Sequence, residues 1–230
     1  MSRYRARFGD KKVVLPVIHA TSEAQVLQNV RRAVTAGADG VFLINHDVSA
    51  QELLRFHDEV RRLHPSLWVG VNCLEHHPSW VIERPDVAGV WADYAGDFSL
   101  GMPPVGDGWR KLPPGGSWDG LYFGGVAFKG QRRVLPADLP KVTLRAAEWM
   151  DVVTTSGLGT GQAADVEKVR VMREALGSAP LALASGVTPD NVREYLPYVN
   201  AFLVASGISL DFENLDLNRT RRLVDLVAAG

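Results

Sequence analysis

The sequence has little sulfur and almost no net charge. Cys73 is the sole cysteine among 230 residues, so no intrachain disulfide can form and nothing points to an oxidising compartment. At the end of the apolar run LWVGVNC (67–73) it reads as a small buried hydrophobe, since a nucleophilic thiol requires an activating base beside it. The formal net charge of -1 removes any general electrostatic reason to expect a nucleic acid or an anionic membrane surface as partner. Any anion site has to be local. No apolar run approaches the roughly 18 to 20 residues that a membrane-crossing helix requires. The basic start MSRYRARFGDKK is not followed by an apolar stretch with a cleavage site, so the expected location is the cytoplasm. Hydrophobic residues at 46% and charged residues at 22% argue for an ordinary globular protein rather than disorder or a coiled coil.

What is present is a repeated alternation of short apolar runs with polar turns and amphipathic stretches. VVLPVIHA (13–20) reads as a buried strand. Thr21 or Ser22 then caps a helix that runs to a stop at Gly37. ADGVFLIN (38–45) is a second strand, SAQELLRFHDEVRRLHP a second helix, and LWVGVNC a third strand. This βαβαβ opening predicts a parallel sheet. VAGVWADY (87–94) is a fourth strand, LYFGGVAFK (121–129) a fifth, and DLPKVTLRAAEWM a short helix after it. MDVVTTS (150–156), APLALAS and NAFLVAS bring the total to eight, each of the three leading into a loop and a helical stretch. Eight parallel strands in a chain of this length predict a single (β/α)8 TIM barrel domain over residues 1–230, with an open doubly wound sheet as the competitor. Residues 95–120 are rich in Gly and Pro and form an irregular long connection after strand four, in the position of a lid or binding loop.

In such a barrel the active face lies at the C-terminal strand ends, and phosphate sits between the loops after strands seven and eight, against a helix N-terminus. The stretch APLALASGVTPDNV (179–192) occupies the first of those positions. Gly186 allows close approach of a ligand, while Pro189 suits the first turn of a helix capped by Thr188, whose early amides would be free. A well-capped helix would look the same without a ligand. Strand eight, however, also ends in Ser206 and Gly207, and strand six ends in TTSGLGTG, with Gly157, Gly159 and Gly161 in a third neighbouring loop. Three adjacent strands ending in Ser-Gly make an anion or phosphate site the better reading.

The segment 150–209, with its strand-Thr-Ser-Gly-Leu-Gly-Thr-Gly loop, its Ala-Ser-Gly-Val-Thr-Pro-Asp-Asn-Val segment and its final strand, resembles the C-terminal part of the BtpA family, also called the photosystem I biogenesis family. AVTAGADGVFLINHD resembles an earlier family segment that ends in Glu-Asn, but Ile44 precedes Asn45 here, and residues 74–130 depart substantially. The resemblance implies a barrel like those that bind ribulose phosphate and related ligands. It implies ligand contacts at Ser185, Gly186, Ser206 and Gly207, with Thr160 and Gly161 beside them. It supplies no reaction, and the family's name comes from a role in photosystem assembly.

Chemistry opposite a bound phosphate would fall to polar residues ending the other strands. His19 is placed to act as general acid or base, or is a core histidine satisfied by a carbonyl. Asp93 is a candidate proton acceptor or hydroxyl ligand, or a cap for the next turn. Lys129 is a candidate Schiff-base amine, an anion partner, or a solvated side chain. Asn45 and Asn72 are further ligand contacts, and His46 and Asp47 follow strand two. Glu75, His76 and His77 invite a metal hypothesis, but adjacent histidines on a turn point apart and no ligand spacing is present. The expectation is therefore no metal and no cofactor. The Gly-rich loop also resembles the phosphoribosyl pyrophosphate loop of phosphoribosyltransferases, whose strand ends in two acids where this chain has Thr154 and Thr155. No Lys-Ser or Lys-Thr follows its glycines as a Walker A loop requires. The leading expectation is a barrel enzyme acting on a phosphorylated small molecule, a sugar phosphate or nucleotide, by acid-base chemistry. The alternatives are a non-catalytic assembly or regulatory factor that keeps a phosphate pocket, and a phosphoribosyltransferase-type activity. Trp109 and Trp118 in the long connection would serve either a homo-oligomer interface or the barrel's own packing.

Overall fold

The computed structural model describes residues 2–74, 76–84, 86–98 and 118–230. Eight parallel strands close into a barrel in sequence order: β1 (Val13–Ala20), β2 (Gly40–Asn45), β3 (Trp68–Asn72), β4 (Gly89–Ala92), β5 (Leu121–Gly125), β6 (Val152–Ser156), β7 (Leu181–Ala184) and β8 (Ala201–Val204). Closure is visible in β1, which pairs with β8 through Val13–Pro16 and with β2 through Val17–Ala20. That displacement is the stagger that a tilted, closed sheet requires. Pro16, which has no N–H to donate, stands where β1 changes partner.

Most strand residues are buried on both faces, which is why the strands read as continuous apolar runs rather than as alternating ones. Alternation nevertheless decides which residues fill the interior. Leu15, Val17, Phe42, Trp68, Trp91 and Phe123 belong to the inner cluster, while Val14, Ile18, Val41 and Val69 pack outward against the helices. The interior is unusually aromatic. Phe42 meets Trp68, Trp91 and Phe123 edge-on at 5.1 to 5.7 Å between ring centroids. Gly70 and Gly89 supply the space: a Cβ on Gly70 would lie 2.4 Å from the Phe42 ring, and one on Gly89 2.3 Å from the Trp68 ring.

The helices are α1 (Arg3–Phe8), α2 (Glu23–Thr35), α3 (Ala50–Leu63), α4 (Pro78–Val81), α5 (Leu139–Ala147), α6 (Val166–Leu176), α7 (Val192–Tyr195) and α8 (Leu217–Ala228). Ser22 caps α2, and Ser49 with Glu52 forms a reciprocal capping box on α3. Helix α1 has no counterpart in the sequence reading. It closes the bottom of the barrel: Tyr4 and Phe8 join the inner cluster, Tyr4 donates to the Asn200 carbonyl at 2.9 Å, and Phe8 meets Trp68 edge-on. Arg3 forks onto Asp151 at 2.9 and 2.8 Å, locking α1 beneath β5 and β6.

Several expectations are corrected here. β4 ends at Ala92 and β5 at Gly125, so Asp93 and Lys129 lie in loops rather than on strands. Helix α7 is a single turn beginning at Val192, not a longer helix starting near Pro189. Trp118 is buried, and its indole N–H donates to the Val87 carbonyl at 2.8 Å, so it packs into its own barrel rather than serving an interface. Trp109 and most of the 95–120 connection lie outside the described residues. Among the described residues no helix is long and apolar enough to cross a membrane.

Candidate functional site at the barrel mouth

The loops after β6, β7 and β8 stack on one another at their glycines. A Cβ on Gly186 would lie 2.0 Å from the Gln162 carbonyl oxygen, and one on Gly207 only 1.8 Å from the Val187 carbonyl oxygen. Both glycines are therefore needed for loop packing, whatever else they do. Ser185 and Gly186 each hold φ near +70°. In a serine this conformation is costly and is maintained by its surroundings. Here the Ser185 hydroxyl accepts from the Gly161 amide at 2.9 Å and donates to the Gly159 carbonyl at 3.3 Å, fixing the loop after β6 against the loop after β7.

The early amides of the α7 turn are not free as expected. The Thr188 hydroxyl accepts from Asp190 and Asn191, and the Asn191 side chain accepts from the Thr188 amide and donates to the Gly186 carbonyl. A four-residue helix also has almost no dipole to offer. Other amides at this end of the barrel are free. Among the described residues the N–H groups of Gly186, Ser206 and Gly207 have no acceptor within the chain, and they belong to two adjoining loops. Ser206 opens a short 3₁₀ turn, Ser206–Ile208, directly after β8.

On the opposite rim, His19, His46, Asp93 and Lys129 lie close enough to feel one another's charge. Burial pushes the His19 imidazole down to about 4, helped by His46 and Lys129 and opposed by a contact to the Phe212 carbonyl. Its Nδ1 is 3.1 Å from that carbonyl oxygen. A carbonyl only accepts, so Nδ1 carries the proton and Nε2 presents a lone pair. The Phe212 ring packs against His19 at 4.1 Å with a tilt of 34°, and His46 meets His19 edge-on at 5.0 Å. Burial raises the Asp93 carboxyl above its ordinary range, against the pull of Lys129, a hydrogen bond from Asn72 and the charge of His46. The Asn72 amide donates to Asp93 at 3.1 Å. The Lys129 backbone is tied to the Ser156 hydroxyl at 2.8 Å, and its amine reaches the Thr160 hydroxyl at 3.4 Å. That contact links the acid-base rim to the Gly-rich loop.

Asn45 is placed otherwise. Its side-chain oxygen accepts from the Leu74 amide at 2.9 Å and its nitrogen donates to the Val48 carbonyl at 3.1 Å, clamping the loops after β2 and β3. Because Ile44 belongs to the inner cluster, alternation puts Asn45 on the outer side of β2. His77 caps α4 and His76 stacks on Trp80 at 4.1 Å, while Glu75 lies outside the described residues. The three-residue donor group found among the described residues is instead His57, Asp58 and Asp86 on the outside of the barrel, where Arg84 pairs with both carboxylates.

Against this geometry, residues 125–229 match the sequence profile described as the BtpA family. The matched segment covers just under half of the chain and carries all three glycine-rich loops and Lys129, whereas His19, Asn72 and Asp93 precede it. Over 79 residues the chain is 37% identical to an uncharacterized protein of Thermococcus kodakarensis and 30% identical to one of Methanocaldococcus jannaschii. Each match spans 33% of this chain but only 30% of the relative. Among solved structures, the (S)-3-O-geranylgeranylglyceryl phosphate synthase of Thermoplasma acidophilum, bound to sn-glycerol-1-phosphate, superposes with a TM-score of 0.68. The identity is 14%, over 98% of this chain and 97% of that one. The phosphoribosyl anthranilate isomerase of Thermus thermophilus gives 0.66 at 16% identity, over 94% and 98%. At these identities the likeness is one of fold.

Sequence reasoning missed three residues that shape the mouth of this barrel. Gln131 donates to the Asp93 carbonyl at 2.7 Å and to the Gly125 carbonyl at 2.9 Å, joining the ends of β4 and β5. Lys168, one turn into α6, extends its amine to the carbonyls of Ala127 and Ser156, and burial lowers its pKa to about 8. Phe212 arrives from the loop before α8 to cover His19. None carries a local signal, because each acts on backbone or rings distant in sequence.

Proposed function

We propose that this chain is a barrel enzyme that holds the phosphate of a small metabolite on the amides of Gly186, Ser206 and Gly207 and performs proton transfer at the opposite rim. The observation that carries the reading is the set of three amides on adjoining loops that have no acceptor within the chain, one of them on the buried Gly186, since clustered unpaired backbone donors suit an anion. Thr160 and Gly161, with Ser185 setting the loop, stand beside these amides: a Cβ on Gly161 would lie 3.5 Å from the Ser206 hydroxyl. The amine of Lys129 adds positive charge between the phosphate and the reacting centre.

In this reading Asp93 is the proton acceptor. A carboxyl whose pKa burial raises is a better base than an ordinary one, and Asn72 orients it. His19, neutral at pH 7 with its Nε2 lone pair available, accepts a hydrogen bond from a substrate hydroxyl and stays uncharged as it does so. Lys129 stabilises negative charge developing on a substrate oxygen. A proton moving from a carbon beside a carbonyl to Asp93, with charge gathering on the carbonyl oxygen, uses every group.

The test is backbone amide NMR during titration with inorganic phosphate and then ribose 5-phosphate. Phosphate is expected to shift the amides of Gly186, Ser206 and Gly207, and the sugar phosphate to shift the His19 ring as well. Saturable phosphate binding that leaves those three amides unmoved refutes the cradle. Shifts confined to the cradle by every sugar phosphate and nucleotide tried favour the non-catalytic reading.

A further inference from the structure

A second recess lies beside the mouth, between the loop after β5 and the first turns of α6. It has a volume of about 560 Å³, within the range of small-molecule sites. Its wall is apolar, formed by Phe128, Val134, Leu139, Ala164 and Val171. On its lip Leu158 is 86% exposed, an unusual position for a large aliphatic side chain.

The charges around this wall are unbalanced. Arg132 and Arg133 both line the recess, both are exposed, and neither has an acidic partner among the described residues. Lys129 borders it from the mouth side and the Lys168 amine lies behind it. The two acids present are already engaged. Asp165 caps α6 by accepting from the Glu167 amide at 2.9 Å, and Glu167 pairs with Arg170 at 2.8 Å. An apolar wall with uncompensated guanidinium groups at its edge complements one chemistry, a hydrocarbon or aromatic body carrying an anionic group.

We propose that this recess is a binding site for a small amphiphilic anion, distinct from the phosphate cradle. The apolar body packs on Phe128, Val134 and Val171, and its acidic group is taken by Arg132 and Arg133. Through Lys129, which borders both spaces, occupancy of the recess reaches the acid-base rim.

The probe is 1-anilinonaphthalene-8-sulfonate, followed by its fluorescence and by calorimetry, with uncharged N-phenyl-1-naphthylamine as its partner. The intact protein is expected to bind one sulfonate probe saturably, and at least tenfold more tightly than the neutral one. The double variant R132S/R133S, altered only at exposed unpaired side chains, is expected to lose tenfold or more for the sulfonate and little for the neutral probe. Val171→Trp, which fills the wall, is expected to lose both. Amide NMR separates this site from the cradle. The sulfonate should shift residues 128–134 and Val171 and leave Gly186, Ser206 and Gly207 in place. No saturable binding, affinity indifferent to the two arginines, or shifts centred on the cradle would each overturn the proposal.

Discussion

Gly177 and Gly186 share a positive φ but not an environment, and replacing each with alanine separates the two reasons for a glycine. Gly177 ends α6 with φ +56° and nothing within 4 Å of an added Cβ. Gly186 holds φ +70°, with the Gln162 carbonyl oxygen 2.0 Å and the Ala163 nitrogen 2.5 Å from an added Cβ. Placing an L side chain at positive φ costs about 1 kcal/mol at either site. At Gly186 the overlap with backbone adds roughly 2 kcal/mol, because the neighbour is not the free end of a flexible side chain. At about 2 to 4 °C per kcal/mol for a chain of this size, Gly177→Ala should lower Tm by about 3 °C and Gly186→Ala by about 9 °C. Thermal unfolding followed by circular dichroism, without ligand and then with phosphate, reads both. Losses within about 2 °C of each other in the ligand-free protein would refute the argument that Gly186 is required by loop packing. They would restore the simpler idea that it is kept open for a ligand.

Three further outcomes are expected. The His19 ring should remain neutral at pH 6 with its proton on Nδ1, and ring-nitrogen NMR showing a protonated Nε2 there would contradict the burial argument. The folded pKa of about 4 lies below the ordinary value of 6.5, so stability from neutral His19 is complete above pH 6.5 and drains away as pH falls towards 4; His19→Asn should flatten that fall in Tm. For Asp93 the sign is opposite: its carboxyl is raised by burial, so the folded state favours the protonated form and loses stability as pH rises through the folded value. Asp93→Asn should therefore benefit Tm more at pH 8 than at pH 4, and the reverse ordering would count against a buried carboxylate. Arg3→Ala leaves Asp151, whose side chain is 13% exposed, without its two-pronged partner. The cost should be about 2 kcal/mol, less than for a fully buried pair because Arg3 is itself 31% exposed, or roughly 6 °C in Tm. An unchanged Tm would show that the Arg3–Asp151 pair contributes nothing to holding α1 in place.

The sequence by itself determined the number and order of the strands, because a parallel barrel buries both faces of each strand and so writes every one as an apolar run between turns. It determined the caps of α2 and α3, whose chemistry lies within four residues of the helix ends, and it placed Ser185, Gly186, Ser206 and Gly207 in neighbouring loops once the strand order was known. Tertiary structure alone decided the remainder, since those features depend on atoms brought together from distant parts of the chain. Tyr4 and Phe8 become the floor of the barrel only when β8 and β3 are beside them. Asn45 turns outward to hold Leu74 and Val48 because Ile44 takes the inner position. The glycines at 186 and 207 touch carbonyls of other loops, and the amides expected at the start of α7 are consumed by Thr188 and Asn191. Burial favours the neutral form of His19, and the Phe212 ring packed against it comes from nearly two hundred residues away. Local pattern records propensity and periodicity. The protonation state of a site is set by what lies against it.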